Sequence, residues 1–311
     1  MESIKQKLEE YVNPATNRKI SKNSIEKVYM IKYRKISQGM GKTGVEFLKD
    51  YDSVMEWIED NFENLSTQKS YISTVINVLK SHDMDAEKYS KKVKELSNEI
   101  NKITAKHLKN AKQEANYVPI EKLRTVIKIY EKQANESKTE NQQYQALRKW
   151  IVANLYVGDK DNPPVRLDYS VDLIQKSDYD PESKDNFLVL NKKEPEFFHF
   201  GDHKTSASTG TKKLRVGKQL KKALTIWLQH NRSKKHLLLN DRGQKMTPHT
   251  LGVFITKVFS ILDKHITLND LRHIFVSELV SDEDIRSTKR RQILAKRMGH
   301  SLDVQEQYKK N

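Results

Sequence analysis

FLVLNKKEPEFFHFGDHKTSASTGTKKLRV, residues 187–216, decides the fold class. Apolar and aromatic residues cluster in FLVLN (187–191), FFHFGDHK (197–204) and KKLRV (212–216). The TSASTG between the last two supplies the small, flexible residues of a hairpin turn. Three short strands are therefore predicted in the middle of the chain. Outward from them the period changes. LKKALTIWLQH, TPHTLGVFITKVFSIL, NDLRHIFVSELV and RRQILAKRMG all place apolar residues at helical spacing.

The first third also reads as helical, in ISKNSIEKVYMIKYRKI (20–36) and DYDSVMEWIEDNF (50–62). Ser66 is a suitable cap for a third helix, whose inner face would carry Tyr71, Ile72, Val75, Ile76 and Leu79. No strand pattern is expected before about residue 185. KITAKHLKNAKQEANY (102–117) reads as a boundary, with Lys106, Lys109 and Lys112 at steps of three. If that segment is helical they share a side and suit a phosphate backbone; a solvated linker explains them equally well. Pro119 then opens a new helix at a favoured position. The expectation is a mainly α chain with a small antiparallel β-sheet. A helical domain spans 1–105, with an N-terminal extension over 1–19. A basic linker follows at 106–117, and a second domain fills 118–311.

The 311 residues include 57 Lys and Arg against 41 Asp and Glu, a formal charge of +16. Such an excess favours a polyanionic partner through counterion release. Nucleic acid leads. An anionic membrane surface is second, but no basic helix with an aromatic face supports it. A uniformly basic proteome is the bland alternative. No apolar run approaches the roughly 20 residues of a membrane span. MESIKQKLEEYVNP has no apolar core of a secretion signal. The chain has no cysteine, which excludes disulfides, cysteine nucleophiles and thiolate metal sites.

Four local features bear on chemistry. In DNPPVRLDY (161–169), Arg166 follows a rigid Pro-Pro turn, where a guanidinium can grip a phosphate or simply pair with Asp168. In the hairpin, Lys204 enters the turn, and 201–222 carries seven basic residues, Lys212 and Lys213 among them, against the single acid Asp202. In TLNDLRHIFVSEL (267–279), Arg272 sits in so apolar a helix that it needs an anion, for which Glu278 is the structural candidate. Last comes RQILAKRMGHSLDVQEQYKKN (291–311), preceded by Arg290. Gly299 breaks its helix, His300 follows, and Ser301 can cap a short final helix bearing Tyr308.

Singly these signals are weak. In the order Arg, Lys, Arg, His, Tyr they supply what phosphodiester transesterification needs. Two guanidiniums and a histidine neutralise the non-bridging oxygens of the transition state. A lysine protonates the leaving 5′-oxygen, and the tyrosine is the nucleophile. No metal is required, and no dense Asp/Glu cluster is present to hold a two-metal site.

On PPVRLDY, HKTSASTG, LRHIFVSELV and AKRMGHSLDVQEQY, the chain resembles the tyrosine recombinase (phage-integrase) family over about 145–311. Within it, integrases of eukaryotic viruses and mobile elements are nearest in character. Residues 43–80 resemble that family's SAM-like helical core-binding domain. The resemblance implies a two-domain clamp around double-stranded DNA, acting inside the cell where the DNA is. Arg166 and Arg272 would hold the scissile phosphate, with Lys204 the general acid and His300 assisting. Tyr308 would form a 3′-phosphotyrosyl link without cofactor or ATP. Strand exchange would pass through a Holliday junction in a homotetramer assembled on DNA from monomers or weak oligomers. Lys106, Lys109, Lys112, Lys212, Lys213, Arg290 and Arg291 are the expected backbone contacts.

Three positions depart from the family pattern. Asn269 stands three residues before Arg272, where histidine or lysine is usual, so its site role is provisional and His265 or His273 could compensate. Tyr169 stands three residues after Arg166, where an acid is usual, with Asp168 beside it. The His300-to-Tyr308 gap is eight, where nine is commoner. A type IB topoisomerase shares this residue set, and an inactive DNA-binding relative would keep the charge without the reaction.

Overall fold

The computed structural model describes residues 2–14, 17–106, 108–159, 162–203, 206, 210–279, 288–299 and 301–309. The chain divides into two compact units, Met1–Lys106 and His107–Asn311. It is mainly helical, and among the described residues no helix is long and apolar enough to cross a membrane.

The first unit opens with α1 (Glu2–Glu10), which buries Ile4 and Leu8. Strands β1 (Val12–Asn13) and β2 (Arg18–Lys19) then form a small antiparallel ladder. The expectation of no strand before about 185 is therefore wrong here. Two-residue strands carry too few side chains to show alternation. A π-helical turn at Ile25–Tyr29 runs into α2 (Met30–Gly39), which buries Met30, Tyr33 and Ile36. Helix α3 (Tyr51–Asn61) is capped by Asp50, which accepts from the Ser53 N–H. Helix α4 (Leu65–Ser81) is capped by Asn64, whose side chain accepts the Thr67 N–H at 3.0 Å. That corrects the Ser66 assignment. Asn64 holds the extended backbone a cap needs, and Ser66 already lies inside the first turn. Tyr71, Ile72, Val75 and Leu79 are buried as the spacing predicts, and Ile76 packs at the core's edge. Helix α5 is Glu87–Ala105.

The second unit starts with α6 (Ala111–Asn116), closed by an Asn110–Gln113 capping box. It continues with α7 (Ile120–Asn135) and α8 (Glu140–Ala153), which passes into a π-helical turn at Asn154–Gly158. Strands β3 (Asp172–Gln175), β4 (Asn186–Asn191), β5 (Glu194–Phe200) and β6 (Lys212–Arg215) form one sheet in sequence order. The β4–β5–β6 ladder is antiparallel, as expected. Strand β3 was not expected, and it pairs parallel to β4, so the sheet is mixed. DLIQ is an edge strand with polar ends, and a parallel partner leaves no hairpin turn to betray it. Helices α9 (Lys218–His230), α10 (Pro248–Phe259), α11 (Leu268–Leu279), α12 (Thr288–Met298) and α13 (Leu302–Tyr308) follow. Val126, Ile151, Tyr156, Phe198, Trp227 and Phe259 belong to the main apolar core of this unit.

The register of β6 matters for the site. Lys212 pairs with Phe200 and Leu214 with Phe198. Side chains alternate along a strand, so Lys212 shares the inner face with buried Leu214. Lys213 points to the other face, with its ammonium 3.6 Å from the centre of the Phe197 ring.

Candidate active site

Buried Pro163, Pro164 and Val165 lead to Arg166, after which the chain turns tightly at Leu167–Tyr169. Tyr169 is fully buried, its ring 5.4 Å from Tyr156 and 4.8 Å from Phe198. Tyr169 is thus part of an aromatic floor. The Tyr156 hydroxyl donates to the Arg166 carbonyl at 3.3 Å.

Arg272 projects from the middle of α11 and is only 2% exposed. Its Nη1 donates to the Pro164 carbonyl at 2.7 Å, and Nη1 and Nη2 reach the Met298 carbonyl at 3.2 and 3.1 Å. Burial pulls its pKa down, an effect the neighbouring Tyr308 phenol opposes. Glu278 does not neutralise it. That carboxylate accepts the Tyr117 hydroxyl and, at 2.7 Å, the Ile120 N–H, so it caps α7 instead.

Three cations meet three consecutive carbonyls at the end of α12. Lys212 Nζ donates to Arg297 O at 2.5 Å, Arg272 to Met298 O, and Arg166 Nη1 to Gly299 O at 3.2 Å. A helix C-terminus offers unpaired carbonyls and partial negative charge, which suits cations. Gly299 has φ +73°, a left-handed conformation that glycine adopts without strain. Among the described residues, no carboxylate lies in ion-pair range of Arg166, Lys212 or Arg272.

Asp168 is the acid of this neighbourhood. Burial raises its pKa, opposed by Lys212, His203, Arg166 and Arg272. Burial also drives the Lys212 ammonium down to about 8, an effect Arg272 and Arg166 add to and Asp168 resists. The result is a pocket with a net excess of fixed positive charge.

Tyr308 ends α13 beside it. Its ring lies 4.8 Å from the Arg272 guanidinium carbon and packs with Phe275, Val276, Leu294 and Met298. His273 Nδ1 lies 2.9 Å from the Tyr308 carbonyl oxygen, and the two ring centres are 4.7 Å apart. The Ser301 hydroxyl accepts the Val304 N–H, capping α13 as expected.

The structure thus brings Arg166, Arg272, Lys212 and Tyr308 together. Lys204, His300 and the Arg290 side chain lie outside the described residues. Asn269 is exposed and lines a separate open groove with Leu167, His249, Lys257 and His265. Lys106 ends α5, Lys109 lies between helices with its ammonium 4.3 Å from the Tyr117 ring centre, and Lys112 is on α6, so the three do not line one helix. Arg291 is half-buried on α12. Among the described residues no three His, Asp or Glu side chains converge as metal ligands would. Sequence reasoning missed the placement of Lys212 in the site, although its parity with Leu214 signals the inner face. The carbonyl cradle left no sequence signal beyond Gly299.

No family model matches the chain, and no curated protein matches it. Among solved structures, the chain is similar to the crystal structure of XerA recombinase at 13% sequence identity and a TM-score of 0.40. The match covers 99% of this chain and 92% of that one.

Proposed function

We propose that this chain is a tyrosine-type site-specific DNA recombinase or integrase, cutting and rejoining DNA through a 3′-phosphotyrosyl intermediate. One observation carries the reading. Arg166, Arg272 and Lys212, without carboxylate partners among the described residues, converge on one carbonyl cradle, with the Tyr308 ring against Arg272.

In this reading the scissile phosphate enters the cationic pocket, and the two arginines hold its non-bridging oxygens. Tyr308 Oη loses its proton and attacks phosphorus. The bond to the 5′-oxygen breaks, and that oxygen leaves with the electron pair and takes up a proton. Lys212, with its pKa near 8, holds a transferable proton at neutral pH. Lys204 on the same hairpin is the other candidate donor, and His300 would add a hydrogen bond to the phosphate. Reversal with a second 5′-hydroxyl rejoins the strand without cofactor or ATP.

The proposal extends to a clamp of both units on duplex DNA, with a tetramer exchanging strands through a Holliday junction. Lys106, Lys109, Lys112, Lys213, Arg290 and Arg291 are then phosphate-backbone contacts, which makes binding steeply salt-dependent.

The test is a denaturing gel of the protein incubated with nicked or phosphorothiolate duplexes. A covalent protein–DNA band is expected with wild type and not with Tyr308→Phe. A band that survives in Tyr308→Phe, or no band on any substrate, overturns the assignment. A supercoil-relaxation assay then separates a recombinase from a type IB topoisomerase.

A further inference from the structure

Arg272 and His273 are adjacent on α11, so their side chains leave the helix about 100° apart. Both nevertheless reach the same residue. Arg272 lies against the Tyr308 ring, its guanidinium carbon 4.8 Å from the ring centre. His273 takes the other end of Tyr308, with Nδ1 2.9 Å from its main-chain oxygen and the imidazole tilted 48° against the phenol at 4.7 Å.

Tyr308 is the last residue of the seven-residue helix α13. The final carbonyls of a helix have no partner within it, and a short helix frays readily. A carbonyl oxygen accepts only, so the imidazole must donate from Nδ1. That bond closes the open end of α13 on the residue next to Arg272. From this geometry we infer that His273 is a positioning residue, fixing the main chain of Tyr308 so that the phenol stays directed at the Arg272 guanidinium. The inference rests on the phosphotyrosyl reading for its catalytic meaning. A reacting group displaced by about 1 Å costs on the order of a hundredfold in rate. Without the donor, the last turn of α13 unwinds part of the time and the phenol leaves its line of attack.

Two variants separate positioning from bulk. His273→Asn keeps an N–H close to where Nδ1 stands. His273→Leu fills similar space without a donor. Single-turnover covalent adduct formation at saturating DNA is expected within about threefold of wild type for His273→Asn. For His273→Leu it should fall about 10–100-fold, with DNA affinity and melting temperature unchanged. Fluorine NMR of fluorotyrosine placed at position 308, in the DNA-free protein, should show a shifted, broadened resonance in His273→Leu and a wild-type-like one in His273→Asn. A His273→Leu protein that matches wild type in both measurements overturns the inference, as does a His273→Asn protein that behaves like His273→Leu. If wild type forms no adduct, the phosphotyrosyl reading fails, while the fluorine resonance still decides whether His273 orders Tyr308.

Discussion

The Arg272 guanidinium carbon lies 4.8 Å from the centre of the Tyr308 ring, and the same guanidinium donates to the main-chain oxygens of Pro164 and Met298. One cation therefore joins the carbonyl cradle to the tyrosine ring. In the proposed reaction, the phenolate and the phosphate it attacks would be drawn to a single planar fork.

Arg272→Lys should separate charge from geometry. A lysine cannot span the carbonyls of Pro164 and Met298 as the guanidinium does. Adduct formation is expected to fall about a hundredfold or more, the loss typical when one aligned donor leaves such a site. Single-turnover gels check this, and a rate within tenfold of wild type contradicts it.

Lys212 predicts a pH signature. Its folded-state pKa is about 8, below the usual 10.5. Below about pH 8 both states are protonated, and the folded state bears the cost of the buried charge. Between about 8 and 10.5 the unfolded chain holds the extra proton, so stability rises with pH across that window. Lys212→Met should remove this rise and stabilise the protein at pH 7 by about 1–2 kcal/mol, allowing for partial exposure. Urea melts of the two proteins at pH 7 and 10 give the difference directly.

Gln305 is only 3% exposed on α13, and among the described residues neither amide atom has a hydrogen-bond partner. Gln305→Leu should therefore raise stability, by about 1 kcal/mol, because it removes an uncompensated desolvation cost. A lower thermal midpoint in this variant would show that the amide has a partner after all.

Glu278 ties α11 to the start of α7 through Tyr117 and the Ile120 N–H. Glu278→Ala should cost about 2 kcal/mol and speed amide exchange at Ile120. Burial, helped by the Glu278 bond, pushes the Tyr117 hydroxyl up to about 12. The unfolded chain ionises it first, near 10, so this contribution is full below pH 10 and fades as pH rises through 12. The wild-type minus Glu278→Ala difference should shrink across that range.

How much of this was legible depends on what each residue does. Arg272 could be read because a cation among Leu271, Ile274 and Phe275 has few explanations. Gly299 and Ser301 announced the break and the cap that place Tyr308. Strand β3 was invisible because a parallel edge strand has no turn signature. The Asn64 cap was missed because Ser66, two residues on, is an equally good capping residue on paper. The role of Tyr169 was hidden because a buried tyrosine and a misplaced acid look alike in sequence. Only the packing against Tyr156 and Phe198 shows it as floor, leaving Asp168 as the nearby acid.

The cradle for the three cations is built from the main-chain oxygens of Arg297, Met298 and Gly299. Every residue type carries that oxygen. The cradle's acceptors are therefore indifferent to which side chains stand at 297 and 298, although Met298 is also held by its packing against Phe275 and Val276. What cannot drift is the path of the chain. An alanine at Gly299, with φ at +73°, would disturb all three acceptors through strain of about 1 kcal/mol. Descendants of this protein should keep the reversal at 299 long after the letters around it have changed.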